Sequence, residues 1–318
     1  MAKLAVVTGA RSYIGSAAAR SLAARGWEQR TLTNRRGAVG RGALEIPAWP
    51  LQFRDRGALG EALSGAQALV STYWVRYPHF GVDFDLAVEN SRILFEAARE
   101  AKVDRIVQVS VSNPREDSPL AYYAGKARVE RILRELGGSF GIVRPTLVVG
   151  EEDILLNNIA WALRRFPLFG MPGSGSYRVQ PITLEETGEI IADVVESAED
   201  LTVDAAGPEV LSFEDLVRQV AAAIGRPARI VHLPPWLALA VAKVIGRLKG
   251  DVMLTRQEYE GLAAEALVSH EPARGKTAFS AWIREHGRSL GQSYQSEWER
   301  HFRDLDLASQ RASGPSRK

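Results

Sequence analysis

Tyr122 and Lys126 stand four residues apart, a spacing that puts both side chains on one face of a helix. Val129, Leu133 and Leu136 continue that stripe, so the face should point toward a sheet and away from water. An ammonium beside a phenol stabilises the phenolate and so lowers the phenol's pKa. Bringing a tyrosine from about 10 to about 7 takes roughly 4 kcal/mol, within reach of a close cation plus an oxidised nicotinamide. Such a tyrosine passes a proton to or from a substrate oxygen while hydride moves to or from the nicotinamide. The lysine reads as buried with no carboxylate partner beside it in sequence, an expensive placement unless it has a role. The bland alternative is a packed tyrosine next to a snorkelling lysine. A hydroxyl helper would come from Ser110 or Ser112, which strand alternation puts on the same side of the chain. Ser112 is the choice for the substrate oxygen, with Ser110 nearer the cofactor; the alternative is a plain Ser/Asn turn.

The second chemical signal is Thr8-Gly9-Ala10-Arg11-Ser12-Tyr13-Ile14-Gly15, directly after the first apolar run. Its spacing is that of a glycine fingerprint opening a helix, with Ser12 where the middle glycine would stand. Gly9 permits a tight turn, and a small second residue lets backbone N–H groups approach a pyrophosphate. Gly15 lets the helix pack close, and the helix N-terminus attracts the phosphate charge. Glycines also mark ordinary strand-to-helix turns, so the context of strand, turn and helix is what carries the reading. About 20 residues on, an NAD enzyme would place an acid on the ribose 2′-hydroxyl. This chain has Asn34, Arg35 and Arg36 there, and Arg11 lies inside the fingerprint. Guanidinium groups suit a 2′-phosphate, so NADP(H) is favoured over NAD(H).

These residues need elements to hold them. Apolar runs over 4–7, 30–33, 68–71, 105–109 and 142–143 read as strands. Between them lie helical patterns over 14–25, 83–101 and 122–136, the second with Phe84, Val88, Phe95 and Ala98 on one face. Such alternation calls for a parallel sheet with helices on both faces. Beyond Gly150 the rhythm changes. Residues 167–181 form a Pro/Gly-rich excursion, Thr183 with Glu186 resembles a capping box, and Ser212 starts a helix through Ile224. A further helix is expected over 285–302, and the tail from Ala308 reads as disordered.

The chain has 318 residues, 40 Lys+Arg against 38 Asp+Glu, and no cysteine. The length suggests one large or two small domains. A net charge of +2 leaves no excess that would favour nucleic acid or an anionic membrane. Without cysteine there is no thiol nucleophile or thiolate-ligated metal, and five scattered histidines form no ligand spacing, so no metal site is expected. Met1-Ala2-Lys3 runs straight into an apolar strand without a signal peptide's apolar region, pointing to a cytoplasmic chain. The longest apolar stretch, 236–245, is broken by Lys243 and too short to span a bilayer. It reads as a buried core helix or a partner surface ahead of an interfacial membrane helix.

Taken together, these motifs resemble the short-chain dehydrogenase/reductase superfamily in its extended and atypical branch, over roughly residues 3–206. The resemblance rests on the Thr8–Gly15 turn, Gln52-Phe53, the Tyr122/Lys126 pair, Arg144-Pro145-Thr146 with Val149-Gly150, and Arg178-Val179-Gln180-Pro181. It implies a Rossmann domain whose turn, Gly9 with Arg11, Ser12, Tyr13, Ile14 and Gly15, holds the pyrophosphate. Gln52 stands where the family has an acid beside the adenine, and Phe53 would stack on the ring. Ser71 and Thr72 would line the cofactor cleft, Lys126 would reach the cofactor, and Pro145, Thr146 and Leu147 would lie along the nicotinamide. The stretches 110–126 and 152–181 look most like NAD-dependent epimerase/dehydratases, and the same pattern is similar to an NADPH-binding accessory subunit of respiratory complex I. NmrA-like redox sensors are a further atypical group.

Two functions follow. One is an NADP(H)-dependent oxidoreductase or epimerase acting on a carbonyl or hydroxyl of a small metabolite. The other is a non-catalytic NADPH-binding sensor or assembly module. Tyr73, Trp74, Arg76 and Tyr77 would line the substrate cleft, or merely pack a loop, and Arg178 would lie in a segment covering the site. The expected architecture is a doubly wound α/β sheet over 1–150 and 181–206, with a smaller, mostly helical substrate lobe over 151–180 and 207–306 and a tail from 307. The oligomeric state stays open between monomer and homodimer.

Overall fold

The computed structural model describes residues 3–34, 44–78 and 81–302. Arg35 and Arg36, and the tail from residue 303, lie outside the described residues. The first run of the chain alternates as the apolar spacing requires: β1 (Leu4–Thr8), α1 (Tyr13–Ala24), β2 (Glu28–Leu32), β3 (Ala48–Trp49), α2 (Arg56–Leu63), β4 (Ala68–Ser71), α3 (Phe84–Glu100), β5 (Arg105–Val109), α4 (Ala121–Glu135) and β6 (Ser139–Pro145). Next come β7 (Leu147–Val149), α5 (Ile154–Arg165), β8 (Phe169–Pro172), β9 (Arg178–Val179) and β10 (Pro181–Thr183). The chain then returns through α6 (Leu184–Glu196) and β11 (Leu201–Ala205) to the edge of the first sheet.

That sheet has seven strands in the order β11-β6-β5-β4-β1-β2-β3, and β1 to β6 all run parallel. It is a Rossmann-like arrangement. The order reverses at β1, whose neighbours are β2 and β4, and a crevice opens at such a point beyond the carboxyl ends of the strands. Helix α3 starts where Asp83 caps it, accepting from the Leu86 amide at 2.8 Å. Its expected face is buried: Phe84, Val88, Phe95 and Ala98 are all in the core.

The chain divides into two compact units, Met1–Pro145 with Leu184–Asp204, and Thr146–Thr183 with Ala205–Arg303. The second unit continues with β12 (Leu211–Ser212), α7 (Phe213–Ala223), β13 (Ile230–Leu233), α8 (Pro235–Lys249), α9 (Arg256–Ala263), α10 (Phe279–His286) and α11 (Glu297–Phe302). Ser212 caps α7, accepting from the Asp215 amide at 3.0 Å. The unit has its own core, in which Leu156, Met171, Leu216, Val217 and Phe279 are fully buried.

Three sequence expectations need correction. The 167–181 excursion carries two short strands, since Phe169–Pro172 pairs in parallel with Ile230–Leu233 and Arg178–Val179 pairs with β12. The single helix expected over 285–302 is broken. After α10 the chain makes one 3-10 turn, then Gly291 adopts φ 70°, where a Cβ would collide with the Trp161 amide nitrogen at 2.3 Å. The helix over 236–245 is not core: only Ala238 and Gly246 of α8 are buried. No helix among the described residues is long and apolar enough to cross a membrane, and no cluster among them could hold a metal ion.

Candidate functional site

The turn after β1 is built by reciprocal closures. Gly9 takes φ 65°, its amide donates to the Leu32 carbonyl at 2.9 Å, and the Ser12 amide returns to the Gly9 carbonyl at 2.7 Å. That carbonyl fills the space a Cβ on Gly15 would need, only 2.1 Å away, so Gly15 lets the helix close onto its own turn. Thr31 ties the turn to β2, donating to the Val7 carbonyl at 2.8 Å and accepting from the Ala10 amide at 3.1 Å. Ser12, the departure from the glycine pattern, is the N-cap of α1, and its Oγ accepts from the Gly15 amide at 3.3 Å. The hydroxyl thus meets one of the helix's end donors. Tyr13 and Ile14 open the helix, and Arg11 stands half-buried in the turn ahead of them.

Across the crevice, Thr72 and Thr8 clasp one another. The Thr72 amide donates to Thr8 Oγ1 at 2.8 Å, and Thr72 Oγ1 donates to the Thr8 carbonyl at 2.5 Å. Nothing in the sequence pattern singled out Thr8 for this. Ser71, at the end of β4, and Ser110, just past β5, have buried hydroxyls with no hydrogen-bond partner among the described residues. Buried hydroxyls are rarely left so, and two at adjacent strand ends mark a place where a ligand's polar groups fit. The turn, Ser71 and Ser110 are thus the residues able to hold a dinucleotide.

The ladder between β5 and β6 runs on past Val109. The Ser110 amide donates to Val143 at 2.7 Å and the Ser112 amide to Pro145 at 3.0 Å, so both serines sit on one side as alternation requires. Asn113 then turns with φ 52°. Ser112 is fully buried. Lys126 reaches the same strand end from α4: its Nζ donates to the Val109 carbonyl at 2.8 Å and lies 4.8 Å from the centre of the Trp74 ring. The residue is 3% exposed, and burial pulls its ammonium down to about 7, against an opposing pull from Glu130. Tyr122, one turn earlier, packs edge-on against Trp74 and Phe84 at 5.9 and 6.0 Å between ring centres.

Glu130 corrects the reading of a lysine without a carboxylate partner. It lies four residues beyond Lys126 on α4 and is 1% exposed. Its carboxylate accepts from Arg144 at 2.9 and 2.6 Å and from Arg134 at 3.0 Å. The i+4 spacing was the available signal; the arginine that joins it comes from β6 and left none.

Trp74 is the other feature that sequence alone placed only loosely. Its ring lies where a Cβ on Gly125 would be, 2.8 Å from that position, so Gly125 lets the indole settle between Tyr122 and Lys126. Tyr73 packs at 4.7 Å against Phe53, and its hydroxyl accepts from Asn90 at 2.9 Å; burial pushes that phenol up to about 12. Arg76 and Tyr77 follow, half-buried. The side-chain amide of Asn34 bonds both ways with the Leu51 backbone, at 3.0 and 2.9 Å, and the exposed Gln52 accepts from the Asp55 amide through its carbonyl at 3.1 Å.

In the second unit, Thr146 Oγ1 donates to the Gln180 carbonyl at 2.6 Å, and the Leu147 amide also reaches that carbonyl. Gln180 is buried and held by Gly207 and Ser269. Arg178 is exposed on β9, its Nε 2.9 Å from a carboxylate oxygen of Glu265.

The chain is similar to the NADH-ubiquinone oxidoreductase 40 kDa subunit, mitochondrial, of Neurospora crassa, 23% identical over 211 residues that cover 65% of this chain and 55% of the relative. It is also similar to the NADH dehydrogenase [ubiquinone] 1 alpha subcomplex subunit 9, mitochondrial, of Arabidopsis thaliana, 22% identical over 69% of this chain and 58% of that one. The chain therefore spans a little over half the length of these relatives. Among solved structures, the NADPH-dependent quinone oxidoreductase of Escherichia coli complexed with NADPH matches with a TM-score of 0.70 at 18% identity, covering 89% of this chain and 99% of that one. A nucleoside-diphosphate-sugar epimerase from Staphylococcus aureus matches with the same TM-score at 16% identity, over 89% and 100% of the two chains. These likenesses show a fold shared with that oxidoreductase and that epimerase. Since the NmrA-like family model matches residues 1–266, the chain belongs to the NmrA-like family.

Proposed function

We propose that this protein binds NADP(H) in the crevice beyond β1 and β4 and works as an oxidoreductase on a carbonyl or hydroxyl of a small metabolite. The observation that carries the reading is Lys126, a buried ammonium held by the Val109 carbonyl one helical turn from Tyr122. A cation kept there without a direct carboxylate bond is costly, and lowering the pKa of a neighbouring phenol gives it a role. Bound nicotinamide would supply hydride transfer. Tyr122 would give or take the proton at its phenol oxygen, Lys126 would hold the phenolate's charge, and Ser112 would orient the substrate oxygen. Ser71 and Ser110 would bond to the cofactor, and Trp74 with Phe84 would keep water from the Tyr122 ring. The first unit is then the nucleotide-binding domain and the second the substrate lobe.

The preference for the 2′-phosphorylated cofactor rests on Arg11 in the turn and on Arg35 and Arg36 in sequence, with Asn34 holding the end of β2 to Leu51. Fluorescence titration should show NADPH binding more tightly than NADH; the reverse order overturns that preference. Tyr122→Phe should keep NADPH affinity within about two-fold while turnover with an accepted carbonyl drops at least about 100-fold.

A second reading is favoured by the Trp74 ring lying over Lys126 and by relatives named as subunits of NADH-ubiquinone oxidoreductase and of NADH dehydrogenase [ubiquinone]. In it the cofactor is structural and the protein serves assembly or sensing. NADPH retained through purification, with no oxidation against a broad carbonyl panel, would establish it over the enzyme.

A further inference from the structure

Helix α8 turns much of its apolar surface outward. Of its residues only the small Ala238 and Gly246 are buried, Leu237, Leu239 and Ile245 are half-buried, and four large apolar side chains are exposed. Trp236 is 70% exposed, Val241 43%, Val244 56% and Leu248 82%. At about 100° per residue, Trp236, Ala240, Val244 and Leu248 form one outward arc, and Lys243 and Arg247 fall along the Trp236 edge of it. The helix is preformed, opened by Pro235 in its first turn and closed by Gly250 at φ 65°. A contiguous apolar arc of this kind marks a surface that meets something less polar than water.

Charge decides what that is. From residue 216 to residue 250 the sequence has six Arg and Lys, and no Asp or Glu. The first acid after the helix, Asp251, is turned inward: its carboxylate accepts from Tyr294 Oη at 2.7 Å and from the Glu297 and Trp298 amides at 3.0 and 3.1 Å. Lys249, the last residue of the helix, lies over the Trp161 and Tyr294 rings. An apolar arc with a tryptophan, edged by cations and free of acids, complements the interface of an anionic bilayer. We propose that α8 docks this protein on the surface of anionic membranes, with Trp236, Val244 and Leu248 entering the headgroup boundary and Lys243 and Arg247 meeting the phosphates. The helix lies in the membrane plane and does not span.

The test is co-sedimentation of the full chain with phosphatidylcholine vesicles with and without 30% phosphatidylserine. Binding should require the anionic lipid and weaken with added salt. Leu248→Glu should reduce binding at least ten-fold, and Lys243→Gln with Arg247→Gln by about five-fold per charge. Because these side chains are exposed, circular dichroism melts of the variants should match the parent and exclude unfolding as the cause. Binding that is equal on neutral and anionic vesicles, or unchanged in Leu248→Glu, overturns the proposal. So does a wild-type protein that ignores vesicles but sediments as a dimer dissolved by Leu248→Glu, since the face would then join two copies.

Discussion

Two opposite charges lie one turn apart on α4, both removed from water, and the structure treats them differently. Glu130 receives three hydrogen bonds from two arginines, one of them reaching over from β6. Lys126 has a single carbonyl and the face of an indole. Surrounding a buried charge with charged partners is how a fold keeps it ionised, whereas leaving one poorly compensated keeps its proton mobile near neutrality. The first is architecture; the second is the charge on which the proposed function draws, since its proton can move near neutrality.

Removing the well-compensated charge should have the largest effect. Glu130→Gln leaves Arg144 without its forked partner and should cost about 3–5 kcal/mol in urea unfolding. Lys126→Met should do the opposite and raise stability, by about 1–4 kcal/mol at pH 6. The pH dependence fixes the sign: the folded lysine loses its proton near 7 while the unfolded chain keeps it to about 10.5, so the unfolded state binds more protons between those values. The wild-type protein therefore gains stability as pH rises through that window, and the advantage of Lys126→Met should shrink from pH 7 toward pH 10. A lysine variant that destabilises equally at all pH values would end the contrast. Combining the two substitutions should reveal a coupling of about 0.5–3 kcal/mol, smaller than either extreme effect. Smallest of all, Arg178→Ala should change stability by less than about 1 kcal/mol, since its pairing with Glu265 lies in solvent.

What the sequence made legible was local. Glycine chemistry announced the turn after β1, and continuous apolar runs and a period-3.6 pattern located β4, β5 and α3, because those signals live within a few residues of each other. The Tyr122–Lys126 face was legible for the same reason. Long-range partners were not: Arg144 meets the α4 residue Glu130 from strand β6, and Arg178 finds Glu265 87 residues away. Nor can composition tell an apolar helix that faces a core from one that faces outward, which is why α8 read as core or partner surface alike. The break after α10 escaped because Gly291 signals nothing until Trp161 packs against it.

The Thr8–Thr72 clasp carries one more consequence. It ties β1 to β4 through the chain's own hydrogen bonds, and the absent side chain of Gly9 leaves room for it. A floor cross-tied in this way does not depend on a dinucleotide for its order, so little ordering entropy would oppose one binding there. Calorimetry should then show a heat-capacity change no larger than the covered apolar surface explains, without the excess that accompanies coupled folding.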